Sequence, residues 1–230
     1  FSDGDFTNNP AWVGGTADFI VNGSQQLQSN NTTANSTYYL SAASTLANTA
    51  QWELLVQLNF NPSSANYVDV FLTASNADLT LAATTGYFVR LGGTDDEVSL
   101  FRKDGAGSTK IIDGANGSLN SSNNIVSLKI VRDASNQWQL IRNINSAGNT
   151  NEGVITDATF NTSAFFGILV KQSTASFFQK HFIDDINVGN FVPDVIPPAI
   201  QQVTVTGSNT LDVLFDEPVT TASSENVANY

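Results

Sequence analysis

Apolar and polar residues alternate with a period of two along most of this chain, in short runs at 18–22, 37–40, 52–58, 67–72, 86–91, 97–101, 125–131, 137–141, 165–170 and 182–186. Pairs such as Asn22-Gly23, Gly92-Gly93, Asp104-Gly105, Asp113-Gly114 and Asn116-Gly117 punctuate them. Alternating runs of four to eight residues, with turn residues about every ten positions, predict an antiparallel sandwich or barrel. No stretch keeps a 3.6-residue apolar period over three turns, so helix is expected below about 10%, far under the usual third. The fold class is all-β.

The pattern breaks near 191–198, where Pro193, Pro197 and Pro198 favour an extended linker. Residues 191–230 carry five acidic side chains and no Lys or Arg, so −5 of the formal −12 lies there and −7 in residues 1–190. Two more runs, 201–206 and 211–215, follow the linker. Two strands cannot enclose a core of their own. The expectation is a domain over 1–190, a linker over 191–198, and a segment over 199–230 that is truncated or completed by another chain.

Composition narrows the chemistry. Nine Lys and Arg against 21 Asp and Glu, at a pI near 4.1, exclude a phosphate-binding surface and hence nucleic acid. No apolar run approaches the roughly 20 residues that cross a bilayer as a helix, which excludes helical membrane insertion. Cysteine is absent, which removes thiol catalysis, disulfides and Cys-ligated metals. Asn, Ser and Thr make up 72 of the 230 residues, a neutral polar surface of the kind secreted β-proteins carry. The expected location is extracellular or cell-surface, and the lack of any Met suggests a mature or trimmed chain.

Several pieces resemble known modules. The opening Phe1–Phe6, Trp12, the strand around Trp52, the runs 86–91 and 96–102, the Arg132 to Trp138 hairpin and the closing 182–188 resemble, in this order, the concanavalin A-like (LamG-type) jelly-roll domains of secreted Bacteroidetes proteins. The closing run is also similar to MAM and cleaved-adhesin modules, in which the first and last strands lie side by side. Residues 194–200, 211–219 and 225–230 resemble the opening of bacterial Ig-like domains. The resemblance implies a jelly-roll sandwich followed by the start of an Ig-like domain, with residues 1–6 beside 180–188.

That juxtaposition would bring Asp3 and Asp5 to Asp184 and Asp185. Carboxylates so close repel unless a cation intervenes, and a hard cation with oxygen ligands fits. In the similar domains such a site holds structural calcium (Ca2+). The plainer reading makes these aspartates solvated turn residues. Strand parity places Asp184 on the face of Phe182 and Ile186, with Asp185 opposite, unless a bulge intervenes.

Other chemistry is weaker. The jelly-roll hydrolases to which the fold is similar place Glu-x-Asp-x-x-Glu on one strand. None of the five glutamates, Glu53, Glu97, Glu152, Glu217 and Glu225, has that spacing. The cluster 95–97 reads as a turn before a strand. His181, the one histidine, could act as a base beside Asp184, but as a lone side chain on a closing strand it reads as a surface residue. Residues 103–110 mimic a phosphate cradle with the wrong glycine spacing, and read as a hairpin loop. Among the aromatics, which could form a sugar-stacking platform on a concave sheet but in a sandwich are more often core, Trp52 and Trp138 are assigned to the core and Tyr38, Tyr39, Tyr67 and Tyr87 are expected to be partly exposed.

The function expected is therefore non-enzymatic: a secreted or surface-anchored interaction module, binding a glycan or another surface protein, alongside further domains of the same chain. Competing readings are an accessory, less readily catalytic, domain of a polysaccharide-degrading enzyme, and a structural spacer without ligand.

Overall fold

The computed structural model describes residues 1–193, 195–217 and 219. Strands take 53% of it and helix 3%, the latter as two single 3₁₀ turns, Thr16–Asp18 and Ala175–Phe177. The chain divides into two compact units, Phe1–Phe191 and Val192–Tyr230.

Two seven-stranded antiparallel sheets share one core in the first unit. The first sheet runs in the order β1 (Trp12–Gly14), β4 (Ser36–Ala43), β13 (Phe165–Gln172), β6 (Tyr67–Ala74), β7 (Thr85–Gly92), β8 (Glu97–Asp104), β9 (Gly107–Ile112). The second runs β12 (Thr150–Thr156), β11 (Gln137–Ile144), β10 (Asn124–Arg132), β5 (Ala50–Leu58), β14 (His181–Asn190), β3 (Leu27–Ser29), β2 (Phe19–Val21). The late strands β13 and β14 enter the middles of the two sheets, between β4 and β6 and between β3 and β5. That threading of distant strands makes the sandwich a jelly roll.

Period two explains the core. Along β5, Ala50, Trp52, Leu54, Val56 and Leu58 all turn inward while the residues between them are half-buried. Trp52 stacks on Trp138 of β11, with ring centroids 5.6 Å apart. Such a pair adds about 0.5–1.5 kcal/mol beyond its area burial. Beside them Arg132 is fully buried, yet its guanidinium reaches Ala47 O, Phe160 O, Asn161 Oδ1 and Asn136 Oδ1 at 2.7–2.9 Å and stacks over Trp138. It organises the crossing into β13 rather than any ligand.

Two sequence expectations need correction here. The first strand, β1, pairs with β4 in one sheet, whereas β14 lies in the other, so the first and last strands of the sandwich are not partners. Residues 1–6 form no strand, and β14 takes its strand partners from β5 and, at Phe182 and Ile183, from β3. Tyr38 and Tyr87 are buried, not exposed, since both point into the core on strands that also carry outward aromatics.

In the second unit, β15 (Ile200–Gly207) and β16 (Thr210–Phe215) form a hairpin whose Ile200, Val203, Val205, Leu211 and Leu214 are all exposed. Asp194, Pro218 and residues 220–230, on which part of the Ig-like resemblance rests, lie outside the described residues. No helix among the described residues is long and apolar enough to cross a membrane.

Candidate functional site

The four aspartates do come to one place. Asp3, Asp5, Asp184 and Asp185 line a cavity of about 720 Å³ whose walls include Trp12 and Phe166. Trp12 meets Phe166 edge-on at 5.9 Å, which anchors the N-terminal segment. Three of the carboxylates, however, serve local turns. Asp3 Oδ1 accepts from the Asp5 amide at 3.1 Å, and Asp184 Oδ1 from the Asp185 amide at 2.9 Å. Asp5 accepts from the Thr7 amide and hydroxyl and from Asn8 Nδ2, and these bonds, the Thr7 amide foremost, hold its carboxyl below the usual range. Among the described residues no three Asp, Glu, His or Cys side chains are arranged to hold a metal ion. They face a common space without forming a cage.

A bulge alters the predicted parity. Asp184 opposes Leu55 and Asn187 opposes Glu53, so two residues face one between them, with Asp185 at φ 51°. Ile186 thereby rejoins the inner face with Ile183, instead of sharing the face of Phe182 and Asp184. His181 is likewise corrected: it is fully buried, its Nδ1 3.0 Å from Ser29 Oγ, and burial pushes its pKa down to about 3. Such an imidazole stays neutral and out of reach of substrate.

Three of the glutamates are held by cations. Glu53 meets Lys129 at 3.1 Å, Glu97 meets Lys110 at 2.5 Å, and Glu152 pairs with Arg142. Asp95 and Asp96 do form a turn, but Glu97 opens β8 and is buried. Residues 103–110 form a hairpin whose turn lies between Asp104 and Gly107.

A different site stands out on the outer face of the first sheet. Val68, Val70 and Leu72 of β6 point into the core, so Tyr67, Asp69 and Phe71 point out. On β7 and β8 the same alternation sends Phe88, Arg90 and Phe101 outward. The register then sets Phe71 beside Phe88 and Phe88 beside Phe101, each pair stacked with centroids 5.1 Å apart. Residues 75–84 fold back over one end of this row, burying Leu79 to 1% exposure. Gly167 makes room: a Cβ there would stand 2.7 Å from Leu79 Cδ1 and 2.6 Å from Leu40 O. A glycine inside a strand often marks such a close approach.

Amid these rings lies one ion pair. Arg90 Nε and Nη2 donate to the two Asp69 oxygens at 2.7 and 2.8 Å. The guanidinium also lies 4.0 Å from the centre of the Tyr67 ring. Burial raises the Asp69 carboxyl above its ordinary range even with the guanidinium against it. A groove of about 340 Å³ runs past Tyr67, Asp69, Thr80, Phe88, Arg90 and Lys103, within the size of small-ligand sites. An aromatic surface with a fixed carboxylate and a fixed guanidinium offers stacking, one acceptor and several donors in a small space. Sequence reasoning placed Tyr67 at the surface but missed Asp69 and Arg90. The signal was there, a charged residue alternating with outward aromatics in two runs. What was missing was their pairing, since ten residues separate β6 from β7.

No protein-family model and no curated protein matches the sequence. Solved structures do match in fold. The carbohydrate-binding module CBM66 from Bacillus subtilis superposes with a TM-score of 0.54 at 11% identity, covering 79% of this chain and 97% of that one. The legume lectin-like domain from Entamoeba histolytica gives 0.55 at 15%, covering 80% and 90%. The exoplasmic/lumenal domain of VIP36, in its Ca2+/Man3GlcNAc-bound form, gives 0.56 at 12%, covering 81% and 85%. At these identities the likeness speaks for the fold, and the fold is the jelly roll of legume-lectin-like and carbohydrate-binding modules.

Proposed function

We propose that this chain is a non-enzymatic carbohydrate-binding module whose ligand lies in the groove on the outer face of the first sheet. The observation that carries the reading is the Asp69–Arg90 pair, desolvated and doubly hydrogen-bonded on a solvent-side face among Tyr67, Phe88 and Phe101. A sugar ring presents an apolar face of C–H groups and an edge of hydroxyls. Tyr67 and Phe101 suit the first, and the carboxylate and guanidinium suit the second. The carbohydrate-binding neighbours in fold support it by analogy alone.

Affinity electrophoresis against a panel of soluble polysaccharides tests this. Retardation by at least one polymer is expected, weakened at least about tenfold by Tyr67→Ala and by Arg90→Lys, whose ammonium cannot replace a two-pronged guanidinium. Retardation unchanged in both variants would overturn the site, and none in any polymer would overturn the function. The polar surface and an exoplasmic or lumenal neighbour support a secreted or surface-displayed chain of the LamG and MAM kind. The β15–β16 hairpin supports reading residues 199–230 as the opening of an Ig-like domain joined through the 191–198 linker.

A second reading, structural calcium, rests on the one cavity that Asp3, Asp5, Asp184 and Asp185 share. With no cage of carboxylates formed, backbone carbonyls and water would have to complete the six to eight oxygens calcium takes. Thermal melts in EDTA and in millimolar calcium decide it. A higher midpoint with calcium, lost in Asp185→Ala, supports the site, and equal midpoints remove it.

A further inference from the structure

The distribution of cations narrows the ligand. Of the nine Lys and Arg residues, Arg90, Arg102, Lys110, Lys129 and Arg142 are in ion pairs, and Arg132 is enclosed by carbonyl and amide oxygens. The remaining three, Lys103, Lys171 and Lys180, have no ion-pair partner among the described residues within 4 Å. Two of these three stand on the outer face of the first sheet. Lys103 lines the groove, and Lys171 lies directly across from Tyr67 in the β13–β6 register.

Lys103 is the more telling. It is half-buried, its ammonium donates to the Gly105 carbonyl, and burial pulls its pKa below the ordinary lysine value. Asp69, the one carboxylate among the groove's lining residues, is already engaged on both oxygens by Arg90. The groove therefore keeps a surplus positive charge on a chain whose net charge is −12. Asp69 attracts the Lys103 ammonium through space but already holds Arg90 on both oxygens, so this partly buried ammonium has only a shared counter-ion, and an anion supplied by a ligand would relieve it.

Resting on the glycan-binding reading above, we infer that the groove takes an anionic glycan, with the carboxylate or sulfate ester of a sugar seated on Lys103 and the sugar ring against Tyr67. Selectivity against neutral sugars follows from the same ammonium, because a neutral ring would leave it unpaired in a partly dry site.

The test is affinity electrophoresis of the full chain in gels holding polygalacturonate, a sulfated galactan or a neutral galactan. Retardation is expected in one or both anionic gels, weakened by added salt. Lys103→Gln should weaken it at least about tenfold, and Lys103→Arg, which keeps the charge, should restore most of it. Which anionic gel retards the chain separates carboxylate from sulfate. Because Lys103 makes no ion pair, both variants should melt with the native protein. Retardation by the neutral polymer as strong as by the anionic ones, or anionic retardation indifferent to Lys103→Gln, would overturn the inference and leave the module reading standing. Retardation by no polymer would overturn both.

Discussion

On the outer face of the second sheet, Lys129 and Glu53 meet at 3.1 Å with 46% and 36% of their side chains exposed. On the outer face of the first, Arg90 and Asp69 meet at 2.7 Å with 24% and 6% exposed. The chemistry of the two pairs is alike and their surroundings are not. Along β10 and β5 the outer positions other than Val131 are open or half-buried, and water screens the charges that stand there. Along β6 every residue after Tyr67 is buried, on both faces, because residues 75–84 and a row of rings cover the outer side. A sheet built only to close a sandwich needs one apolar face. The second apolar face, with a fixed ion pair in it, is what sets the first sheet apart and supports placing the proposed site there.

The contrast can be broken at its apolar half first. Leu79→Ala removes the side chain that pins residues 75–84 to the sheet, and should cost about 2–5 kcal/mol in urea unfolding, the range for a buried leucine. A loss below about 1 kcal/mol would mean that this segment contributes little to the second apolar face. Asp69→Ala comes next. It leaves Arg90 without its anion, and the expected loss is about 2–3 kcal/mol, under the usual 3–5 for a buried pair because the guanidinium is partly exposed.

The buried titratable group of the second sheet lies on its inner face. His181 packs edge-on against Phe60 with ring centroids 4.8 Å apart, and stays neutral in the folded chain down to about pH 3. Above pH 6.5 it is neutral folded and unfolded, and its full contribution is present. Below 6.5 the unfolded chain takes up a proton that the folded one refuses, so stability falls by about 1.4 kcal/mol per pH unit until about pH 3. Urea midpoints between pH 7.5 and 4.5 should show this slope in the native protein and a shallower one in His181→Gln. Equal slopes would place the acid sensitivity elsewhere.

The smallest effect sharpens the comparison most. Glu53→Gln should change stability by less than about 0.5 kcal/mol, as exposed pairs do, and high salt should erase even that. A cost near that of Asp69→Ala would mean that the two faces are equivalent after all.

Much of the architecture was legible in the chain. Alternation within 52–58 and 125–131 named strands that β5 and β10 reproduce with a residue or two added, and the lack of helical periodicity excluded helix. The short strands Trp12–Gly14 and Leu27–Ser29 escaped notice because three residues cannot display a period. The strands Gly107–Ile112 and Thr150–Thr156 escaped because sheet-edge positions need no apolar face. Asp3, Asp5, Asp184 and Asp185 were legible as neighbours through family likeness. Their lack of a common cage was not, since it depends on which backbone amides Asp3, Asp5 and Asp184 cap.

Period-two patterning is a local property, so the sequence by itself determined the β character, the identity of most of the strands and the inward side of most of those. Pairing is not local. Only the tertiary structure set β6 against β7 and so joined Asp69 to Arg90, and only it sent residues 75–84 over the rings and left Lys103 without an ion-pair partner of its own. A strand's alternation says which side chains share a face, but the energy of a buried charge depends on what the rest of the chain brings to cover it.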